Sequence, residues 1–284
     1  MGEVLGFISI KGGVGKTTLA LETASSLAND FGKKVLLVDG NFSSPNLGLY
    51  FGLNPNYGLH DVLHKNAEYG LHNMIQEKYG MDIVPASIDH KNANKQVETF
   101  ALKKILIKIK GNYDYVIIDS SPHHSELLPV VAASDRLFVV TTPDHVTLYT
   151  TLKAVKIARS KKTPIDGIII NKIKNPDFEL GLREIEQEMG VPVVAKIKDD
   201  KKLVEALFYK TPITIHSKEH HVSREIRNFA SSLCGMPEVK KNRLRFFMKL
   251  LPFNSKDVSR EKINRDFLRQ NFYERQFREV AQQV

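Results

Sequence analysis

Three features of the 284-residue chain predict an α/β fold, a mostly parallel twisted sheet with helices on both faces. Short apolar runs recur without period-two alternation, as strands buried on both faces require. Helical stripes of apolar residues fall between those runs. A glycine-rich turn stands where the first run meets the first stripe. The alternation continues for about 200 residues, the pattern of parallel strands joined by crossover helices.

Val4–Ile10 reads as the first strand, and the next helix keeps Leu19, Thr23, Ala24, Leu27 and Ala28 on one face. Lys34–Val38 reads as the second strand. Asp82–Pro85, Tyr115–Ile118, Leu137–Thr141, Gly167–Ile170 and Val193–Ala195 supply more. Val97, Ala101, Ile105 and Ile109 repeat every fourth residue, and Phe178, Leu182, Ile185 and Met189 form another stripe. Both stripes are expected to face the core. The body is expected to end near Gly235-Met236-Pro237, where a helix stops and proline punctuates. That divides the chain into a domain over 1–235 and a helical extension over 236–284. No internal repeat or low-complexity tract is visible.

Composition narrows the function classes. An apolar fraction of 42% suits a chain with a real core. Cys234 is the one cysteine, so the chain by itself can build no disulfide, Cys-rich zinc site or iron–sulfur cluster. That cysteine count predicts a cytoplasmic location. No signal peptide is expected, because the apolar start is short and reads as a strand. Position 6 is glycine, not the Ser or Thr of a myristoylation signal. No apolar run reaches the ~18 residues of a spanning helix. The net charge is +9, and it is unevenly placed. Residues 236–284 hold 12 Lys/Arg against 6 Asp/Glu, so two thirds of the excess lies in the last sixth of the chain.

The turn reads Lys11-Gly12-Gly13-Val14-Gly15-Lys16-Thr17-Thr18. Strand, glycine-rich loop and helix are the three parts of a phosphate loop. The glycines let backbone N–H groups approach phosphates, and the helix N-terminus adds partial positive charge. Lys16 is placed to reach β- and γ-phosphates, and the Thr17 hydroxyl to sit on Mg2+. Ile10 stands where the strict motif has its first glycine.

With its second lysine, Lys11, this segment resembles the deviant Walker A motif of the MinD/ParA family. The resemblance implies that Lys11 crosses a dimer interface to the partner's nucleotide. Asp39-Gly-Asn41-Phe-Ser-Ser-Pro45-Asn46-Leu47 resembles the family's switch I, with Asp39 facing Mg2+ through water. Asn41 replaces the usual second aspartate, which is credited with placing the attacking water. An amide orients water but takes no proton, so slow hydrolysis is expected. Val116-Ile-Ile-Asp119-Ser-Ser-Pro122 resembles Walker B, with Asp119 in the Mg2+ shell. His123 stands where glycine is frequent. Adjacent His123 and His124 read against a metal role, because neighbouring histidines rarely face one ion. Asn171-Lys172 resembles the family's adenine-reading pair. Ile197-Lys-Asp-Asp200 falls where the base pocket closes, with Lys198 in place of a usual proline. The resemblance spans residues 3–234, and Pro45-Asn46-Leu47-Gly48 is most similar to archaeal MinD-like members.

In the extension, residues 240–253 carry five cations and seven apolar residues. On a helix Leu244, Phe247, Met248 and Leu251 share one face and Lys241, Arg245 and Lys249 another, the makeup of an in-plane membrane helix. Packing on the protein's own body and contact with DNA are the alternatives. Residues 257–282 read as one more helix with Ile263, Phe267, Phe272 and Phe277 on an apolar side, its docking left open. Together these readings imply a Mg2+ and ATP-dependent homodimer that hydrolyses ATP slowly. It would be cytoplasmic and peripheral on the inner face of the membrane through 240–253, a nucleotide switch for spatial organisation in cell division or the positioning of a cellular machine, working with an activating or cargo protein. A ParA-like DNA-binding partition ATPase and a hydrolysis-deficient adaptor are the alternatives. The lone cysteine argues against an iron–sulfur carrier, which needs a cysteine pair.

Overall fold

The computed structural model describes residues 2–53, 58–64, 71–87, 97–174, 176–239 and 260–281. Its centre is an eight-stranded sheet in the order β3-β4-β2-β5-β1-β6-β7-β8. The strands are β1 (Glu3–Ile8), β2 (Val35–Gly40), β3 (Gln76–Lys78), β4 (Met81–Val84), β5 (Tyr115–Ser120), β6 (Arg136–Thr141), β7 (Ile165–Ile173) and β8 (Val193–Lys198). All pairings are parallel except β3 with β4. The α/β reading therefore holds, with a short antiparallel edge added. β3 escapes a hydrophobicity reading because its sequence is Gln-Glu-Lys and none of it is buried.

The helices are α1 (Lys16–Phe31), α2 (Leu47–Phe51), α3 (Leu59–His64), α4 (Ala101–Ile109), α5 (His124–Ala133), α6 (His145–Ser160), α7 (Leu182–Met189), α8 (Lys201–Phe208), α9 (Ile213–His216), α10 (His221–Leu233) and α11 (Arg260–Ala281). Alternate residues of the central strands feed two cores. Val4, Ile8, Leu36 and Val38 meet α4, α5, α6 and α7, whereas Leu5, Phe7, Val35 and Leu37 meet α1, α9, α10 and α11. Strands buried on both faces explain the unbroken apolar runs. The first strand stops at Ile8, two residues short of the sequence estimate, because Lys11 already belongs to the turn.

Helix α1 is buried continuously from Leu19 to Leu27, not on one stripe. It is enclosed between the sheet and helices α9 and α10. The Val97–Ile109 stripe faces the core as expected: Val97 and Ile109 are buried and Ala101 and Ile105 pack against the same cluster, although Val97 lies before α4 and Leu102 and Leu106 are buried deeper. The other stripe is corrected. Phe178 is 90% exposed and precedes α7, so only Ile185 and Met189 of that stripe are buried.

The body's last helix ends at Leu233, and Gly235 then turns the chain at φ 71°. Helix α11 docks back against α10 and the edge strand β8. Asn264 donates to the Val193 carbonyl and Arg265 to that of Val194, at 2.7 and 3.0 Å. Leu268 is 2% exposed and Arg265 3%, the latter paired with Glu225 and Glu238. Covering a sheet edge with a helix blocks strand addition there. The strongly charged Arg260–Ala281 therefore takes its place by ion pairs and side-chain hydrogen bonds more than by apolar burial. The 240–253 segment lies outside the described residues. No described helix is long and apolar enough to cross a membrane.

Candidate functional site

The carboxyl ends of β1, β2, β5 and β7 open onto a cleft of about 530 Å3, at the sheet edge where open α/β folds receive ligands. Gly12, Gly13, Gly15, Lys16, Thr17 and Thr18 line it from the turn, Asn41 from the end of β2, Ser120 from β5, and Asn171 and Lys172 from β7. A Cβ added to Gly12 or Gly13 would meet nothing within 4 Å, so the turn faces open space. Gly15 has φ 94°, and a Cβ there would stand 2.2 Å from the Asn171 Nδ2. Glycine is required at that position on both counts. Helix α1 begins without a side-chain cap or an acidic residue in its first turn, leaving its N–H groups available to an anion.

Lys16 is buried, and its Nζ donates to the Lys11 carbonyl at 3.4 Å. Burial lowers its pKa, and the charge of Asp119 acts the other way. The Thr17 hydroxyl donates to Asp119 at 2.6 Å. Asp119 is pushed up to about 7, first by burial and then by Asp39, against the pull of Thr17 and Lys16. Asp39 is raised to about 6 by burial, although the backbone N–H groups of Leu47, Asn41 and Asn46 favour its ionised form. Those bonds are 3.1, 3.1 and 3.0 Å long. Asp39 therefore also folds the 41–47 loop around itself, a duty its place at a strand end does not reveal.

Four buried polar atoms around this cleft have no hydrogen-bond partner in the protein: Asp119 Oδ1, Ser120 Oγ, Asn41 Oδ1 and Asn171 Oδ1. Unpaired buried acceptors cost free energy unless a ligand or water satisfies them. The donor set is all oxygen, with two carboxylates and a hydroxyl, which suits Mg2+. Asn171 spends its amide on the Val14 carbonyl, at 2.8 Å, and keeps an acceptor free. Val14 itself is buried and contributes its backbone only. Lys172 holds a left-handed φ of 57° at the cleft rim. Lys11 is exposed and outside the cleft lining, near Asp144, the N-cap of α6.

The far wall is apolar, made by Leu203, Val204 and Leu207 of α8 beside Asp199 and Asp200. A sequence reading does not single out this wall, although the Leu203–Leu207 spacing of four is its signal. Nor does it single out Tyr50, which lines the cleft and bonds the Thr18 side chain. Behind the loop, Glu22 accepts from the N–H groups of Ile213 and Thr214 at 2.8 and 3.3 Å, tying α1 to α9. His123 and His124 begin α5 and share no group of three metal-ligating side chains among the described residues.

Residues 2–166 match a family model described as an AAA domain. An uncharacterised ATP-binding protein of Methanocaldococcus jannaschii is 30% identical over 257 residues, covering 88% of this chain and 96% of its own. The septum site-determining protein MinD of Bacillus subtilis is 27% identical over 245 residues, 83% of this chain and 90% of that one. The chain belongs to the MinD/ParA family of P-loop ATPases. Among solved structures, MinD from Pyrococcus horikoshii complexed with Mg-ADP superposes with a TM-score of 0.74 at 26% identity, covering 81% of this chain and 95% of that one.

Proposed function

We propose that this MinD/ParA family member is a nucleotide switch that binds Mg2+ and ATP, pairs with a second copy, and hydrolyses ATP slowly. The observation that carries the reading is the ring of unpartnered buried oxygens around an open glycine turn. Thr17, Asp39 and Asp119 would hold Mg2+, directly or through water, and the metal would draw negative charge from the phosphates. Lys16 and the turn N–H groups bind phosphate, and Thr18 lies beside them. The free acceptor of Asn171 is suited to accept from the exocyclic amino group of adenine. Lys172 and the α8 wall complete the base end. Lys11, exposed beside the cleft, is free to reach a partner's nucleotide and stabilise charge during phosphoryl transfer. Asn41 is 4% exposed with its Oδ1 unpaired, fit to orient a water but not to deprotonate it.

The relative solved with Mg-ADP supports the ligand assignment. The chain's similarity to MinD proteins supports a role in spatial organisation, exercised with an activating or cargo protein. For the membrane, each cation of 240–253 contributes about 1 kcal/mol near an anionic bilayer, screened by salt. One tail then binds weakly, and pairing two tails in an ATP-bound dimer adds avidity.

The test is gel filtration and sedimentation with anionic liposomes, run with ATP, ADP and a non-hydrolysable analogue. A dimer that sediments only with ATP or the analogue is expected. The tail control is substitution of Leu244, Phe247 and Leu251 by Ser, because truncation at 240 would strip α11 from β8. A monomer in every nucleotide defeats the switch. Salt-steep DNA binding that survives the tail substitutions would instead favour the ParA-like reading.

A further inference from the structure

We propose that Asp200, His220 and His221 form a binding site for a divalent transition-metal ion of the zinc or nickel class. The site shares Asp200 with the rim of the nucleotide cleft but is read by metal uptake alone, so its failure and that of the nucleotide reading are distinguishable. It is the one such trio among the described residues, with all three ligand atoms within 4.8 Å of one another.

The fold supplies what sequence adjacency alone would not. His220 is the N-cap of α10, with extended backbone at φ −65° and ψ 149°, and His221 is the first helical residue. That change of backbone turns both rings to one side, their centroids 4.3 Å apart. Asp200 is the N-cap of α8 and faces them. The His220 Nε2 lies 3.7 Å from one Asp200 oxygen and the His221 Nε2 3.4 Å from the other. These separations exceed the usual 2.7–3.2 Å of an N–H···O hydrogen bond. They approach the ~3.4 Å edge of a tetrahedron whose ligands stand about 2.0–2.1 Å from zinc.

The unliganded arrangement also leaves needs unmet. Neither ring donates a hydrogen bond to Asp200, and the buried Nδ1 of His220 has no partner. The Lys202 N–H donates to Asp200 Oδ1 at 2.7 Å and orients the carboxylate, as outer-shell donors do around metals. Lys198 and Arg224 lie close enough to oppose a cation, as do the two helix N-termini. They set the expected affinity in the micromolar, not the nanomolar, range. Three protein ligands leave one position open, and Asp200 and His221 also line a cavity of about 440 Å3. An ion there would tie α8 to α10 across a gap that no described hydrogen bond between these three side chains spans.

The experiment titrates the full chain with Zn2+ alone by calorimetry, then records Co2+ absorption. One Zn2+ per chain with a micromolar Kd is expected, weakened at least about tenfold by His220→Ala and by His221→Ala. Bound Co2+ should show the intense visible bands of a four-coordinate ion, absent from both variants. His123→Ala should change neither readout. Asp200→Asn, which keeps the helix cap, should lose the Co2+ bands while retaining the native circular dichroism, and serves if the double histidine variant does not fold. Undiminished Zn2+ affinity in His220→Ala/His221→Ala, or no stoichiometric uptake by the unaltered chain, overturns the site.

Discussion

Lowering the pH should weaken the binding of Mg2+ and nucleotide steeply, because two carboxylates proposed to face the metal take up protons near neutrality. Asp119 is raised to about 7 and Asp39 to about 6, both fully buried. A divalent ion binds the ionised forms, so each pH unit below a pKa costs about tenfold in affinity for that group, or about 1.4 kcal/mol. From pH 8 to pH 5 Asp119 accounts for about a hundredfold and Asp39 for about tenfold, together about a thousandfold. The same shifts act on the ligand-free fold with the opposite sense. Both folded-state values lie above the ordinary carboxylate range, so the native state holds the extra protons. Stability from these groups is present at acid pH and is lost as the pH rises through about 6 and 7. Calorimetry of Mg-ATP binding at pH 6.5, in buffers of different ionisation enthalpy, should register net proton release. The nucleotide titrates too, so the comparison is with Asp119→Asn, which should release fewer protons and bind with a shallower pH slope. An identical proton count and slope in the variant would refute the reasoning.

Other perturbations test separate parts of the structure. Arg265→Ala should lower stability by about 3–5 kcal/mol, because it strands Glu225 and Glu238 against the body and frees the Val194 carbonyl; chemical denaturation measures it. Phe178→Ser should leave denaturation unchanged within about 0.5 kcal/mol, since the ring is 90% exposed. Glu22→Ala should destabilise by about 2–4 kcal/mol by orphaning the Ile213 and Thr214 N–H groups, again read by denaturation. Asn171→Asp should preserve an acceptor but lose the donor to Val14; a weaker fluorescent-nucleotide affinity with a native circular dichroism spectrum is the expected result.

Much of the candidate site is legible in the sequence. Lys11 to Thr18, Asp39, Asp119 and Asn171 all stand at strand ends or in the turn, and a parallel sheet brings its strand ends to one edge by construction. Local pattern therefore located them without contacts. Leu203, Leu207 and Tyr50 were harder, since an apolar residue that lines a cleft looks like one that fills a core. The place of Asp39 at a strand end is legible in the sequence, but its three backbone bonds across the 41–47 loop depend on how that loop closes.

What the amino-acid order settled by itself was the repeating strand and helix alternation, the glycine-rich turn between the first strand and helix, and the helix stop near Gly235. Each rests on short-range rules, periodicity and glycine or proline stereochemistry, which act within a few residues. The tertiary structure alone decided that Phe178 points to solvent, that Arg260–Ala281 covers β8, and that His220 and His221 meet Asp200. Those outcomes depend on partners far away in the chain: the His221–Asp200 approach spans two helices, and the Arg265–Val194 bond joins positions 71 residues apart. No local pattern encodes such distances. They are fixed when the sheet's edge and the helices beside it pack together, leaving only particular side chains within reach.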